Sequence, residues 1–136
     1  MSRGLKNNNP GNIRLSNTRY RGEVQPSQDR AFKQFESMAH GYRAMFMLLY
    51  TYQKKHGLNT IREMITRYAP PVENHTNAYI DTVAKRSGID ANSRLTATNR
   101  DVMMPIAAAM SFVENGKPAA LKDVEEGWTL FIRDVK

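Results

Sequence analysis

Residues 37–57 read "SMAHGYRAMFMLLYTYQKKHG", and they establish the helical period that dominates the chain after residue 35. Apolar side chains recur there with the spacing of one α-helical face, at Met38, Tyr42, Met45, Phe46, Leu49 and Tyr52. Ser37 is a favourable N-cap residue, and Gly57 is a favourable residue for ending a helix. The stretch therefore predicts one long amphipathic helix.

Four later segments show the same period, and each has its own boundary signals. The predicted helices lie within residues 59–70, 76–88, 99–116 and 123–135. Pro70 stops the first of them, and Gly88 and Gly116 end the next two. Asp123 is the expected N-cap of the last helix. Pro105 either kinks the 99–116 helix or marks its true first turn.

The first 35 residues are polar and rich in turn-forming residues. Residues 13–35 are expected to form a small irregular β-hairpin. Residues 7–12, "NNNPGN", predict a tight loop lined with amides, because Asn and Gly tolerate left-handed backbone angles. Such amides suit hydroxyl and N-acetyl groups of a ligand, or they bond to the backbone of their own loop. The expected fold is a single domain over residues 1–136, mainly α (α+β), with a small N-terminal β-hairpin.

The charge balance favours an anionic partner. The chain has 136 residues with 20 Lys and Arg against 13 Asp and Glu, which leaves a net charge of +7. Nucleic acid, an anionic membrane and an acidic cell wall all attract such a surplus. The basic residues are scattered rather than clustered in a long run, so a nucleic-acid partner is not expected.

The sequence lacks the signals of a metal site, a cofactor site, a signal peptide and a membrane span. There is no Cys, and the three His residues (His40, His56 and His75) lack the spacing of a metal site. Neither a metal nor a cofactor is expected. The N-terminus lacks the apolar stretch of a signal peptide, and no segment approaches a membrane span of roughly 20 residues. We expect a monomer made in the cytoplasm that acts at the cell wall after release, or within a virion.

Glu114, in "IAAAMSFVENG" (106–116), is the most informative acidic residue. It borders the apolar stripe of its predicted helix, in the last turn before Gly116. Partial burial and the negative end of the helix dipole both favour the protonated carboxyl and raise its pKa. A general acid at neutral pH needs that property. The alternative is a boundary glutamate that turns toward water.

Three further acidic residues are candidates by position. Asp29 and Glu23 lie in the predicted hairpin, where either could present a second carboxylate to a cleft or act as a turn residue. Glu73 lies in the loop before the 76–88 helix. It is a candidate substrate contact, or part of the start of that helix, with Asn74 or Thr76 as the cap.

Most of the chain resembles a family of small phage and prophage proteins, often labelled structural (virion) protein or putative endolysin. Four segments carry this resemblance: "RGLKNNNPGNIR" (3–14), "DRAFKQFESMAHGYRAM" (29–45), "LNTIREMITRYAPPVENHTNAYIDTVAKRSGI" (58–89) and "AMSFVENG" (109–116). The resemblance implies a phage protein of the virion or of host lysis.

A more distant resemblance is to lysozyme-like enzymes that cut peptidoglycan, including lytic transglycosylases and glucosaminidases. In these enzymes a helix ending in "ESG" carries the catalytic glutamate and precedes an Asn-rich loop, a β-hairpin, an "F-x-x-F/Y-x-S" stretch, a long helix and a "Y-A…Y" segment. Here "NNPGNI" (8–13), "FKQFES" (32–37) and "RYAPPVENHTNAYI" (67–80) occur in that order. The match to the catalytic helix comes last, and Asn115 follows the glutamate in place of Ser.

This second resemblance implies a circularly permuted lysozyme-like domain, which is physically acceptable because chain termini usually lie at the surface. It implies a muramidase, glucosaminidase or lytic transglycosylase with peptidoglycan as partner and Glu114 as general acid. The implied sugar-binding residues are Asn8 and Asn12, and Tyr79, with Tyr68, is implied to lie near the glutamate. Asp29 or Glu23 would be the hairpin carboxylate. The alternative is a non-catalytic phage virion or glycan-binding protein of the same fold.

Overall fold

The computed structural model describes residues 1–72 and 74–135. Within these residues the chain forms α1 (Arg3–Lys6), α2 (Met38–His56), α3 (Ile61–Tyr68), α4 (Thr76–Ser87), α5 (Arg100–Asn115) and α6 (Leu121–Val135). The mainly helical class predicted from the periodicity is confirmed. The single-turn α1 was not predicted, because four residues are too few to show a helical period.

The helix boundaries follow local capping chemistry. Ser37 Oγ accepts a hydrogen bond from the His40 backbone N at 3.1 Å, and Gly57 ends α2 with a φ of 65°. The predicted start and end of α2 are therefore confirmed. Asp123 is not an N-cap, because α6 begins two residues earlier, at Leu121. Its carboxylate lies in the first turn, where the helix dipole also favours a negative charge.

Two other predictions about helix boundaries are tested by the structure, one at Pro105 and one at the start of α4. Pro105 lies inside α5, which begins at Arg100, so it does not mark the first turn of that helix. His75 is the N-cap position of α4 and makes no side-chain capping hydrogen bond. The prediction that Asn74 or Thr76 caps this helix is therefore wrong. The Thr76 hydroxyl instead donates to the Ala69 carbonyl and ties the start of α4 to the end of α3.

The core lies between α2 and α6, with α5 and α4 packed beside it. The rings of Phe46 and Trp128 meet edge to face with centroids 5.0 Å apart, and Phe131 is fully buried beside them. The Tyr42 hydroxyl donates to Ser111 Oγ at 3.0 Å, which joins α2 to α5. The apolar face predicted for α2 is thus the face that the other helices cover.

The predicted β-hairpin over residues 13–35 is wrong. Within the described residues, β-type pairing of the backbone consists of two isolated antiparallel bridges, Arg14 with Phe32 and Glu23 with Phe35. The buried ammonium of Lys33 accounts for the irregular path, because its Nζ donates to the Glu23 carboxylate at 2.9 Å and to the Thr18 carbonyl at 2.8 Å. The chain between the bridges wraps around this ammonium instead of forming a ladder.

Among the described residues, none of the helices combines the length and the apolar character that crossing a membrane requires.

Candidate active site

Glu114 lies in the last turn of α5, where three elements meet around its carboxylate. Each of its oxygens accepts one side-chain hydrogen bond. Residues 7–12 form the asparagine-rich loop, and Nδ2 of its Asn12 donates to Oε1 at a distance of 2.9 Å. The hydroxyl of Tyr79, a residue of α4, donates to Oε2 at a distance of 2.9 Å. The carboxylate is therefore held in one orientation by groups from two other parts of the chain.

The surroundings of Glu114 favour its protonated form. Burial is the largest effect and raises the pKa of Glu114 above its ordinary value of 4.5. The hydrogen bonds from Asn12 and Tyr79 and the positive charge of Arg14 partly oppose this effect, because they stabilise the ionised form. The net result is a carboxyl group that keeps its proton to higher pH than an exposed glutamate does.

The asparagine-rich loop is built largely from its own hydrogen bonds. Asn9 is fully buried, and its side chain bonds to the backbone N and O of Ile13 and to the carbonyl of Lys33. Asn8 and Asn12 have left-handed φ angles of 52° and 49°. This local geometry turns the Asn12 side chain toward Glu114, which explains why the loop contains asparagine at positions that most residues avoid.

Asn115, directly after the glutamate, docks this loop onto α5. Its Nδ2 donates to the Pro10 carbonyl at 2.8 Å and to the Ser111 carbonyl at 3.0 Å. Its Oδ1 accepts from Ser2 Oγ at 2.7 Å. Asn115 therefore positions the start of the chain and the loop relative to the Glu114 carboxylate.

Two cavities of about 300 Å³ each reach Glu114. The first is lined in part by Asn12, Arg14, Phe32, Tyr52, Tyr68 and Glu114. The second is lined in part by His75, Tyr79, Thr82 and Glu114. Asn74 also borders both cavities. Glu114 thus lies where the two cavities meet, so an extended ligand could have one unit on each side of the carboxyl group.

The two predicted tyrosines lie beside the carboxyl group. Tyr68 lines the first cavity, and its hydroxyl donates to the Gly11 carbonyl. Burial raises the pKa of both Tyr68 and Tyr79 well above 10.0, and the negative charge of Glu114 raises it further. Both phenols therefore stay protonated and act as hydrogen-bond donors across the physiological range.

The other predicted ligand contacts fall elsewhere. Asn8 Nδ2 donates to the Phe35 carbonyl at 3.1 Å, and Asn8 is not among the residues that line either cavity. Its observed contact holds the loop against the chain that leads into α2. Glu73 lies outside the described residues.

Asp29 and Glu23 both have internal partners. Asp29 accepts two hydrogen bonds from the Arg3 guanidinium at 2.7 Å and one from Asn7 Nδ2 at 3.0 Å. The hydrogen bonds from Arg3 are the main reason why the pKa of Asp29 lies far below its usual range. Glu23 pairs with Lys33 at 2.9 Å, and its side chain is only 1% exposed. Neither residue lines either of the two cavities at Glu114.

Sequence reasoning missed Arg14 and Asn74 as cavity residues. Arg14 comes two residues after the asparagine-rich loop, so a basic residue close to an amide-lined loop is a signal that could have indicated it. Within the described chain, no group of three His, Asp or Glu side chains is arranged to hold a metal ion.

A larger cavity of about 700 Å³ lies between α2 and α6, with His40 and Leu121 in its lining. None of the predicted site residues borders it. It therefore plays no part in the arrangement around Glu114.

Comparison with known proteins connects the chain to a bacteriophage. It is 37% identical over 131 residues to protein P5 of Pseudoalteromonas phage PM2, and the match covers 93% of this chain and 80% of that protein. No protein-family model matches the chain.

Proposed function

The chain belongs to the family of protein P5 of phage PM2, and on that premise we propose that it is a phage protein that cleaves the glycan strands of peptidoglycan. The proposed bond is the β-1,4 linkage between N-acetylmuramic acid and N-acetylglucosamine. The observation that supports it most is the position of Glu114, which combines a raised pKa with access from two cavities. A general acid in a glycosidase needs both features.

In the proposed reaction, sugar units occupy the cavities on either side of Glu114. The protonated carboxyl donates its proton to the glycosidic oxygen as the bond from that oxygen to the anomeric carbon breaks. Asn12 and Tyr79 hold the carboxyl in place during the transfer and then stabilise the carboxylate that forms. Their hydrogen bonds strengthen as negative charge develops on the glutamate.

The second step distinguishes two reaction types. A hydrolase of this kind normally uses a second carboxylate within about 5–10 Å of the acid. No described carboxylate other than Glu114 lines either cavity. A transglycosylase needs no second carboxylate, because a hydroxyl of the muramic acid attacks the anomeric carbon. That hydroxyl returns its proton to the Glu114 carboxylate, and the product carries an anhydro end.

The relation to a permuted lysozyme-like domain is also part of this proposal. In those enzymes the end of the catalytic helix is followed by the Asn-rich loop. Here the Ser2 and Asn115 side chains bond at 2.7 Å, although 113 positions separate them in the chain. The Asn115 side chain also donates to the Pro10 carbonyl, so the loop lies beside the end of α5, which is the arrangement that a changed chain order requires.

The test is to incubate purified protein with purified peptidoglycan and to analyse the released fragments by mass spectrometry. We expect the parent protein to release muropeptides and Glu114→Gln to release none. Glu125→Gln, which changes an exposed glutamate on α6, is the matched control and should retain activity. Anhydro ends would identify a transglycosylase, and reducing ends a hydrolase. Release by Glu114→Gln at the parental rate would contradict the proposed role.

A second candidate is a non-catalytic phage virion or glycan-binding protein. The comparison favours it more than it favours an enzyme, because the relative is a phage protein whose name carries no activity. Under this alternative, the folded parent protein releases no fragments from several wall types. Glu114→Gln would then bind peptidoglycan as well as the parent does. The same incubation therefore separates the two candidates.

A further inference from the structure

A third cavity, of about 470 Å³, is lined by an unusual concentration of positive charge. We call it the cationic pocket. Its basic residues are Arg19, Arg21, Arg43, Lys55 and Arg67. No Asp or Glu is among the described residues that line it. Sequence inspection shows these residues as scattered, because they come from the N-terminal segment, α2 and α3.

Two of these cations already have a partner. Arg43 lies 2.8 Å and Arg21 3.0 Å from the carboxylate of Asp134. In the described part of the chain, Arg19, Lys55 and Arg67 form no ion pair with a carboxylate. Three like charges around one concave surface repel each other, and a bound anion would relieve that repulsion.

Arg67 is oriented by an aromatic ring. Its guanidinium carbon lies 5.3 Å from the centre of the Tyr52 ring, and that ring is buried. A cation at this distance is attracted by the face of the ring, and this attraction holds the guanidinium beside the pocket. The guanidinium of an arginine can contact a carboxylate through two N–H groups.

The cationic pocket adjoins the first cavity at Glu114. Leu48 and Tyr52 line both spaces. A glycan unit in the first cavity would therefore have its substituents close to the cationic pocket. In peptidoglycan, each muramic acid carries a short peptide with free carboxylates.

We propose that the cationic pocket binds carboxylates of the peptide attached to the glycan strand that occupies the Glu114 cavity. This inference rests on the proposed function, because it assumes that the cavity holds a sugar of peptidoglycan. A nucleic acid fits the geometry less well. Backbone binding to a duplex needs a row of cations along an extended face, whereas these cations surround a concave space that adjoins the first cavity at Glu114.

The experiment compares binding to intact peptidoglycan with binding to peptide-free material. The latter is made by removing the peptides with an amidase and then converting the lactyl carboxylates that this hydrolysis exposes into amides with a carbodiimide and an amine. All proteins carry Glu114→Gln, so that cleavage does not alter the bound fraction. The pocket variant adds Arg19→Gln, Lys55→Gln and Arg67→Gln. The control variant instead adds Lys6→Gln, Lys85→Gln and Lys117→Gln, three exposed lysines outside the cationic pocket, so its net charge falls equally. Co-sedimentation measures the affinity, and thermal unfolding checks the fold.

We expect the pocket variant to bind intact peptidoglycan about tenfold more weakly, because it lacks three cations whose exposed ion pairs each contribute modestly to binding. The control variant should lose much less affinity for intact peptidoglycan. The preference for intact over peptide-free material should disappear only in the pocket variant. If the pocket variant does not fold, Lys55→Gln alone provides the same comparison against Lys85→Gln with a smaller expected loss.

Equal binding of the unmodified pocket to intact and peptide-free material would overturn the inference, as would an equal loss in both variants. The inference would also be overturned if the pocket variant lost affinity for an oligonucleotide but kept its affinity for peptidoglycan. That result would indicate a nucleic-acid site. Failure of the proposed function has a separate signature, since it appears as a lack of fragment release by the protein with Glu114 intact.

Discussion

At the scale of single residues, the central feature is the balance of effects on the Glu114 proton. Burial favours the neutral carboxyl, whereas the hydrogen bonds from Asn12 and Tyr79 favour the carboxylate. Burial prevails, so the pKa is raised. A general acid functions below its pKa, so the proposed activity should fall as pH rises through this raised value.

Tyr79→Phe should raise the pKa of Glu114 further, because it removes a hydrogen bond that stabilises the ionised form. Carbon-13 NMR of labelled glutamate carboxyl groups measures this pKa directly. If the enzyme proposal is right, the high-pH limit of activity moves upward as well. Tyr50→Phe, on α2, removes a hydroxyl that does not contact Glu114 and serves as the control. A Glu114 pKa that stays the same or falls in Tyr79→Phe would contradict this account.

Lys33→Met should destabilise the fold by about 3–5 kcal/mol, because it leaves the buried carboxylate of Glu23 without its partner. Both side chains of this pair are almost inaccessible to solvent, at 0% and 1% exposure. Urea denaturation measures the loss. Lys33→Met combined with Glu23→Gln is the control and should recover most of the stability. An unchanged midpoint in the single variant would show that the pair contributes little.

The same pair predicts acid sensitivity. Burial alone would raise the pKa of Glu23, but hydrogen bonds from Lys33, the Tyr20 backbone and Gln25 lower it below 4.5. A lowered folded-state pKa contributes stability above the unfolded value, and that contribution is lost as pH falls through the folded value. The pair therefore stabilises the protein at neutral pH and contributes less under acidic conditions.

At the scale of elements, two glycines allow other parts of the chain to approach α2 closely. Gly41 belongs to α2 itself, and Gly127 belongs to α6, which packs against it. The asparagine-rich loop crosses α2 at Gly41, where a Cβ atom would overlap the Asn8 carbonyl oxygen. On the α6 side, a Cβ on Gly127 would lie 2.6 Å from the Cβ of Tyr42. These two close approaches set how near the loop and α6 come to the central helix.

Gly41→Ala should destabilise the fold by about 1–3 kcal/mol, because the added methyl group displaces the loop backbone. Helix propensity alone predicts the opposite sign, since Ala is about 1 kcal/mol more favourable than Gly within a helix. Thermal or urea unfolding therefore separates packing from propensity. Lys54→Ala, at an exposed position of the same helix, should change stability by less than about 0.5 kcal/mol. A Gly41→Ala protein that is more stable than the parent would contradict this prediction. It would show that the loop backbone moves aside without a loss of folding free energy.

At the scale of the whole molecule, the net charge of +7 is distributed so that part of it surrounds one pocket next to the candidate active site. Long-range attraction to an anionic polymer and local contacts in the cationic pocket would then act on the same ligand.

Binding to peptidoglycan should weaken steeply as ionic strength rises from about 0.01 M to about 1 M, because the Debye length falls from about 30 Å to about 3 Å. Co-sedimentation at several salt concentrations measures this dependence. Chitin, a related polymer without the acidic peptides, is the control and should show a much weaker dependence. Salt-independent binding to peptidoglycan would mean that the charge surplus does not drive the association.

The amino-acid sequence by itself determined the five longer helices and their apolar faces. Its signals there are local, since a helical stripe such as Met45, Phe46 and Leu49 and a cap such as Ser37 lie within a few residues of each other. It also identified Glu114 as a boundary carboxylate, because position on a helical face determines partial burial.

Only the tertiary structure decided what surrounds that carboxylate. Asn12 is 102 positions and Tyr79 is 35 positions from Glu114, so no local pattern encodes their meeting. The N-terminal segment shows the same limit, because the pairing of Lys33 with Glu23 replaces the predicted hairpin. Backbone periodicity depends on near neighbours, whereas these contacts depend on which distant segments the packed helices bring together.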